Sequence, residues 1–310
     1  MRSIWHWPFH GGSSGQSQAA RAERSANRLG DVRTREQLYE HYLIERELAD
    51  RLRLAPRSQR RGLYCEVYDE LFRRVRHHPQ LNDVNRAPRQ REIDGLLALL
   101  RGFLARSTVL MEIGAGDCAL AIRAAAIVKQ VYAVDVSEQI TCGVSCPANF
   151  RLVLSDGCSI PVPEGSIDVA ISNQLMEHLH PDDAREQLHN IYRSLAPGGV
   201  YICITPNRVY GPHDVSMHFD EVATGFHLLE YSAGDMRRLF ASAGFSEMRC
   251  YAGARGIFLR VPFLLIQVVE AIFGALPRGH GKRIAETGPM RALLGLRVAA
   301  IKPVADQRQS

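Results

Sequence analysis

The chain has 310 residues, 46% apolar and 23% charged, enough to bury a core and against a disordered tail or a fibre. No run of about 18 uninterrupted apolar residues is present, which argues against a spanning helix, and seven cysteines without a CxxC pair or regular spacing argue against a disulfide framework or a zinc ribbon. The net charge of +5 is uneven: residues 1–110 carry 20 Arg against 13 acids, residues 111–255 carry 10 bases against 17, and residues 256–310 carry 8 against 3.

The start of the chain lacks a long apolar segment of the secretory type, and with reduced thiols expected the protein is assigned to the cytoplasm. Residues 1–32 read as a flexible tail, with Gly11-Gly12-Ser13-Ser14-Gly15 and no apolar period. Residues 33–106 read as a helical arm. In its first helix, Thr34 to Leu54, Leu38, Tyr42, Ala49 and Leu52 share a face that Glu45 interrupts. Arg46, Glu47, Asp50, Arg51 and Arg53 mix both signs at helical spacing, as on a solvated face and not a nucleic-acid surface. A second helix starts with Ser58 as N-cap and aligns Tyr64, Val67, Tyr68, Leu71 and Val75. A third, Arg89 to Leu104, aligns Ile93, Leu96, Leu97, Leu100, Phe103 and Leu104.

From Thr108 the texture changes. Strands are expected at Val109–Ile113, Gln130–Val134, Phe150–Leu154, Ile167–Ser172, Val200–Thr205, Ser246–Tyr251 and Leu296–Ile301, with helices at Ala119–Val128, Asp182–Leu195 and Ser232–Ala243. The segment with Cys142 and Cys146 is poorly defined. Alternating strands and helices imply an α/β fold, doubly wound around a mostly parallel sheet of seven strands.

Gly114-Ala115-Gly116 lies between a strand and a helix, where glycine allows a tight turn and close approach of a ligand to backbone amides. Asp135 ends the next strand about 20 residues on, where a carboxylate can accept both hydroxyls of a ribose. This pair alone does not separate nicotinamide from adenosine-sulfonium cofactors. Glu112 two residues before the glycine loop, Ser155-Asp156-Gly157 after the third strand, Asp168 to Asn173, and Leu195-Ala196-Pro197-Gly198-Gly199 before the fifth strand decide it. In this order they resemble the class I S-adenosylmethionine-dependent methyltransferases, in particular the small-molecule branch of ubiquinone and menaquinone methylases, over residues 107–252. The resemblance implies that Glu112, Gly114 and Gly116, with Asp117, hold the methionine part of S-adenosylmethionine. It gives Asp135 to the ribose, Asp156 and Gly157 to the adenine, and Asn173 and Gln174 to the sulfonium. Cys118 departs from the family, whose members often have glycine there. The longer pattern, from Leu63–Phe72 through Thr205-Pro206-Asn207-Arg208 to Thr224-Gly225-Phe226-His227, resembles a group of bacterial methyltransferases.

The acceptor is expected beyond the fourth and fifth strands, at the carboxyl edge of the sheet. Candidates there are Glu177-His178 and the polar segment Thr205–Tyr231, with Asn207, His213, Asp214, His218, Asp220, Glu221 and His227. His213, Asp214 and His178 are taken as the catalytic candidates, Asp214 as the carboxylate that orients His213. A metal on His213, Asp214, His218 and Asp220 lacks any ligand spacing of known strength, and none is expected. The acceptor is a small molecule, a glycan or a lipid-linked group, and nucleic acid is not the expected partner. A nicotinamide-dependent oxidoreductase is disfavoured by Glu112 and the Ser155-Asp156-Gly157 motif, and a non-catalytic S-adenosylmethionine-binding protein by the intact carboxylates.

Residues 253–310 hold the last strand and an apolar insert, 257–276, interrupted by Arg260, Pro262, Gln267 and Glu270. Two readings fit it: a helix that buries its apolar face in the domain, which is favoured, or an interfacial helix that contacts a membrane beside Arg278, His280, Lys282 and Arg283. Arm and insert are expected to bury against each other as a cover over the acceptor side, with Tyr64, Tyr68, Leu71 and Val75 meeting Phe263, Ile266, Val269 and Phe273.

Overall fold

The computed structural model describes residues 33–81, 86–137, 146–285 and 287–304. The tail reading for residues 1–32 and the segment around Cys142 fall outside them. The arm comprises α1 (Arg35–Leu54), α2 (Arg57–Arg74) and α3 (Arg86–Leu100). Helix α1 starts in a capping box, the Thr34 hydroxyl accepting from the Gln37 amide while the Gln37 side chain accepts from the Thr34 amide. Ser58 is not the cap of α2. That helix begins directly after Pro56, whose ring fixes a φ that suits helix entry. Helix α3 stops four residues before Leu104, because Arg101-Gly102 turns the chain and carries Phe103 onto the Tyr251 ring.

The sheet contains β1 (Val109–Ile113), β2 (Gln130–Asp135), β3 (Phe150–Leu154), β4 (Ile167–Asn173), β5 (Leu195–Thr205), β6 (Glu247–Ala254), β7 (Ile257–Val261) and β8 (Leu296–Ile301). Their spatial order is β3-β2-β1-β4-β5-β8-β6-β7. Strands β1 to β5 pair in parallel, while β8 is antiparallel to both β5 and β6. The sheet therefore has eight strands, not seven. The extra one, β7, is the start of the apolar insert, folded back antiparallel on β6 through Arg255-Gly256. A short apolar run has no periodicity that separates strand from helix.

Along β1 and β5 successive side chains enter different layers. Met111, Ile113, Tyr201 and Cys203 join α1, α2, α5 (Pro181–Ser194) and α6 (Ala233–Ser242). Leu110, Ile202 and Ile204 join α3 and α4 (Ala119–Ala125). This is the period of two expected of strands covered on both faces. Strand order diverges between β1 and β4, which lie side by side with Ile113 opposite Ser172. The carboxyl ends of β1, β2 and β4 thus flank one crevice, the ligand position of open α/β sheets.

After Pro262 the insert continues as α7 (Phe263–Ala275), followed by α8 (Arg278–Ala285) and α9 (Gly288–Leu294). The favoured reading of this insert holds for one face: Phe263, Ile266, Val269 and Phe273 pack into the hydrophobic core. Ile266 and Glu270 are the buried residues of α7, while Leu264, Leu265, Val268 and Ile272 are exposed. It packs against α6, α8, α9 and the short turn Arg208–Tyr210, and no residue of 257–276 lines the central cavity. The expected cover is therefore the arm without the insert.

Candidate active site

A cavity of about 1310 Å3 opens at the carboxyl edge of the sheet, under the arm. Typical ligand pockets measure roughly 300–1,000 Å3, so this one has room for two molecules. The sheet contributes Glu112 to Asp117, Asp135, Ser155, Gly157, Asn173 and Gln174 to its wall. The arm contributes His41, Glu45, Tyr64, Tyr68, Arg89 and Glu92, and the segment after β5 contributes His213, Asp214, Phe226 and His227.

The glycine loop is shaped for a ligand. Gly114 and Gly116 have φ of +70° and +51°, a region L side chains rarely adopt. A Cβ on Gly116 would have no atom within 4 Å, whereas one on Gly114 would press on Leu175. Cys118 has φ +55° and caps α4, a backbone state that suits glycine. Asp135 accepts from the Gly116 amide (2.8 Å) on one oxygen and from the Val136 amide (2.7 Å) on the other, which fixes its carboxylate beside the loop. Glu112 is buried and accepts from the Ala121 amide at 2.9 Å. Burial pushes its pKa up to about 8, so the carboxyl holds its proton at neutral pH.

Two of the expected binding residues are engaged from the arm. Arg89 grips Asp117 with two bonds, at 3.1 and 2.8 Å, and Asn173 donates to Glu92 at 2.8 Å. Gln174 adopts φ +54° at the end of β4. Asp156 does not line the cavity, although its neighbours Ser155 and Gly157 do. One of its oxygens accepts from the amides of Cys158 and Ser159 (2.9 and 2.6 Å), and the other lies 3.8 Å from Arg61. Gly157, at φ +91°, lies under Tyr64, whose ring carbon would be 2.7 Å from any Cβ there. That ring is held by a buried cluster: Tyr64 donates to Asp183 (2.8 Å), and Arg60 donates two bonds to the same carboxylate at 2.6 and 2.9 Å.

On the acceptor side, Asp214 does not orient His213. Its backbone is extended, so adjacent side chains diverge. Its carboxylate caps the turn Val215–His218 through Ser216 and accepts from the His227 amide at 3.2 Å. His213 directs Nε2 to the Asn207 carbonyl at 3.0 Å, and burial lowers its pKa. Across the cavity His41 pairs with Glu45 at 2.8 Å, and in this segment His227 has a carboxylate beside it, its Nδ1 lying 2.8 Å from Glu230. Burial pulls the His227 pKa down, but that bond and the charges of Glu177 and Asp214 outweigh it, and the net shift is upward. His178 stands edge-on to His227, with ring centres 4.9 Å apart, and uses Nδ1 on the Phe226 carbonyl at 3.1 Å. Burial and the neighbouring His227 push its pKa down to about 3, which keeps it neutral. Behind these rings Glu177 is fully buried, with one oxygen bonded to Thr205 and the other without a partner. Burial raises its pKa to about 7, and polar atoms of Glu177, His178 and His227 lie within 4.8 Å of one another. Asp220 is engaged by Tyr42 and Thr224. The four residues weighed as metal ligands form no such cluster among the described residues.

Known proteins resemble the chain in sequence and in fold. Residues 111–203 match the family model described as a methyltransferase domain. The chain is 30% identical over 139 residues to a "probable S-adenosylmethionine-dependent methyltransferase" of Mycolicibacterium smegmatis, covering 44% of this chain and 51% of that one. Residues 111–203 carry a methyltransferase domain, similar to that of proteins named S-adenosylmethionine-dependent methyltransferases. A similarly named protein of Mycobacterium tuberculosis is 28% identical over 187 residues, 60% of this chain and 61% of that one. The chain thus spans about half to three-fifths of the length of these curated relatives. In fold it is similar to a chain in the complex between the Haloferax volcanii Trm112 methyltransferase activator and a methyltransferase, with TM-score 0.52, 17% identity, and coverage of 72% of this chain and 96% of that one.

Around the cavity, the residues missed by sequence reasoning are those brought in from a distance. From the arm, Tyr64 reaches Gly157, Arg89 reaches Asp117 beside the glycine loop and Glu92 reaches Asn173, and Glu45 reaches the Phe226 amide at 2.9 Å. The break that Glu45 makes in the apolar stripe of α1 was the available signal. The spacing of His227 and Glu230 was the other.

Proposed function

We propose that the chain is an S-adenosylmethionine-dependent methyltransferase whose acceptor is a small molecule, a glycan or a lipid-linked group held beneath the arm. The observation that carries this reading is the single cavity in which the glycine loop and strand-end carboxylates meet a group of buried imidazoles. The open space over Gly116 at positive φ fits a ligand that approaches the backbone closely. S-adenosylmethionine, when bound, supplies a methyl group on a sulfonium that departs as a thioether.

The chain's own residues divide the remaining work. Gly114 and Gly116 free the loop amides for the methionine part, with Glu112 and Asp117 bracing the loop. Asp135 takes the ribose hydroxyls, because its carboxylate is fixed at the end of β2. Gly157 and Ser155 border the adenine, and Asp156 keeps their turn in shape. Asn173 and Gln174 stand at the sulfonium end. In-line displacement depends on holding the nucleophile against the methyl carbon, and Tyr68, Phe226 and the arm exclude water from that side.

Of the catalytic candidates, His178 keeps a role as a neutral group on the cavity wall, and Asp214 and His213 support the segment around it. His227 is the better proton acceptor. Glu230 holds its Nδ1, which leaves Nε2 to take the proton of a hydroxyl or amine acceptor as the new bond to the methyl carbon forms. The test is release of S-adenosylhomocysteine from S-adenosylmethionine by the full chain, across panels of phenols, sugars and lipid-linked sugars. Acceptor-dependent release is expected. Cofactor binding without release on any acceptor class would support the non-catalytic reading instead.

A further inference from the structure

Helix α7 is apolar on two faces: Phe263, Ile266, Val269 and Phe273 pack into the domain, and a second stripe faces outward. Its one charged residue, Glu270, faces inward, where it accepts from the Asn207 side chain and the Ala233 amide, both at 2.8 Å. Its outer face carries Leu264 (69% exposed), Leu265, Val268 (48%) and Ile272 (56%). The spacing 264, 268, 272 makes this one stripe along the helix. The edge strand β7 adds Ile257 and Leu259, about 70% exposed, and α8 adds Ile284. Glu270 shows that the orientation is fixed. A rotation that buried the leucines would break two buried bonds to that carboxylate and bring it into solvent.

Around the apolar stripe the exposed charge is mostly positive. Arg255, Arg260, Arg283 and Arg291 are exposed. Residues 253–304 contain eight bases and two acids, and the acid among the described residues is the buried Glu270. Glu247, on the neighbouring β6, touches Arg260 at 3.8 Å and is the one acid that meets this rim in an ion pair among the described residues. A second copy docked here by a two-fold axis would set the same basic rim against itself, which disfavours self-association. An anionic surface satisfies both features at once.

We propose that α7, with β7 and α8, is a docking face for an anionic lipid bilayer, the helix lying in the interface with its outer stripe among the acyl chains and the arginines at the headgroups. No helix of the described residues is long and apolar enough to cross a membrane. The face also adjoins the acceptor side of the cavity. Glu270 holds the Asn207 side chain, and the Asn207 carbonyl receives His213 from the cavity wall. The proposal does not depend on methyl transfer, and its test does not use activity.

The experiment is flotation of the purified full chain with vesicles of phosphatidylcholine containing about one-third phosphatidylglycerol, compared with phosphatidylcholine alone. Binding to the anionic vesicles is expected, with a loss of about tenfold in the triple variant Leu264→Ser, Val268→Ser, Ile272→Ser. A similar loss is expected for the double variant Arg260→Glu, Arg283→Glu, whose folding does not rely on the apolar stripe. Because all these side chains are exposed, unchanged thermal melts identify folded variants. Absence of binding by the wild type, or equal binding by both folded variants, overturns the proposal. So does a dimer in sedimentation velocity that the triple variant abolishes, which would make the face a contact between copies.

Discussion

The arm is held over the Gly157 end of the cavity by the buried cluster of Arg60, Tyr64 and Asp183, and Asp183→Ala tests that bond set. The Arg60 and Asp183 side chains are 5% and 1% exposed. The substitution removes both guanidinium bonds and the acceptor of the Tyr64 hydroxyl, leaving Arg60 with the Ala55 carbonyl at 2.7 Å. Stranding one partner of a buried pair costs about 3–5 kcal/mol. At about 2–4 °C per kcal/mol, the melting temperature should fall by roughly 10 °C. The pH dependence follows from the sign of the shift. Burial pushes the Asp183 carboxyl up, but Arg60 and Tyr64 outweigh it and hold its pKa below the ordinary value. Its contribution is therefore complete above the unfolded pKa of about 3.9 and is lost as pH falls through the folded value. Thermal melts followed by circular dichroism at pH 7 and in acid would show the wild type and the variant converge at low pH. Cofactor affinity should also fall, because Tyr64 is the roof of Gly157. A variant that melts within about 2 °C of wild type at pH 7 would refute the reasoning.

Glu112 has the opposite sign. Its raised pKa means that the folded protein binds the proton more tightly, so stability declines as pH rises from about 4.5 towards 8. Glu112→Gln keeps an acceptor for the Ala121 amide and should melt as wild type does in acid. Near pH 9 it should be more stable by about 2–4 kcal/mol, read from denaturant titrations at both pH values. His227→Asn should lower turnover by about 100-fold while cofactor affinity stays within a factor of about two, in steady-state kinetics paired with calorimetry. Glu230→Gln removes the charge that stabilises protonated His227, so the rising limb of turnover against pH should move to lower pH.

How legible this was in the sequence depended on distance along the chain. The glycine loop, Asp135 and the order of strands β1 to β5 follow from local pattern, since loop, strand and carboxylate are neighbours in sequence and in space. The arm helices were readable from their apolar stripes, and a cover over the sheet edge was expected of them, but their individual contacts were not, because Tyr64 meets Gly157 and Arg89 meets Asp117 only after folding. Asp214 looked like the partner of His213 through adjacency, yet an extended backbone sends neighbours apart and a turn brings His227 to Glu230. In the insert, an apolar helix usually faces the core. That holds for Phe263, Ile266, Val269 and Phe273, but the helix is apolar on its other face as well, so the exposed stripe could not be separated from the buried one by pattern.

The central claim is that the glycine loop and Asp135 seat S-adenosylmethionine. Titration calorimetry of S-adenosylmethionine into the full chain, repeated with Asp135→Ala, tests it most directly. The account predicts one site per chain on the wild type, displaced by S-adenosylhomocysteine. In the variant the site should be at least about tenfold weaker, since each charge-assisted hydrogen bond lost costs roughly 1.5–3 kcal/mol. No binding by the folded wild type, or equal affinity in a folded variant, would contradict it.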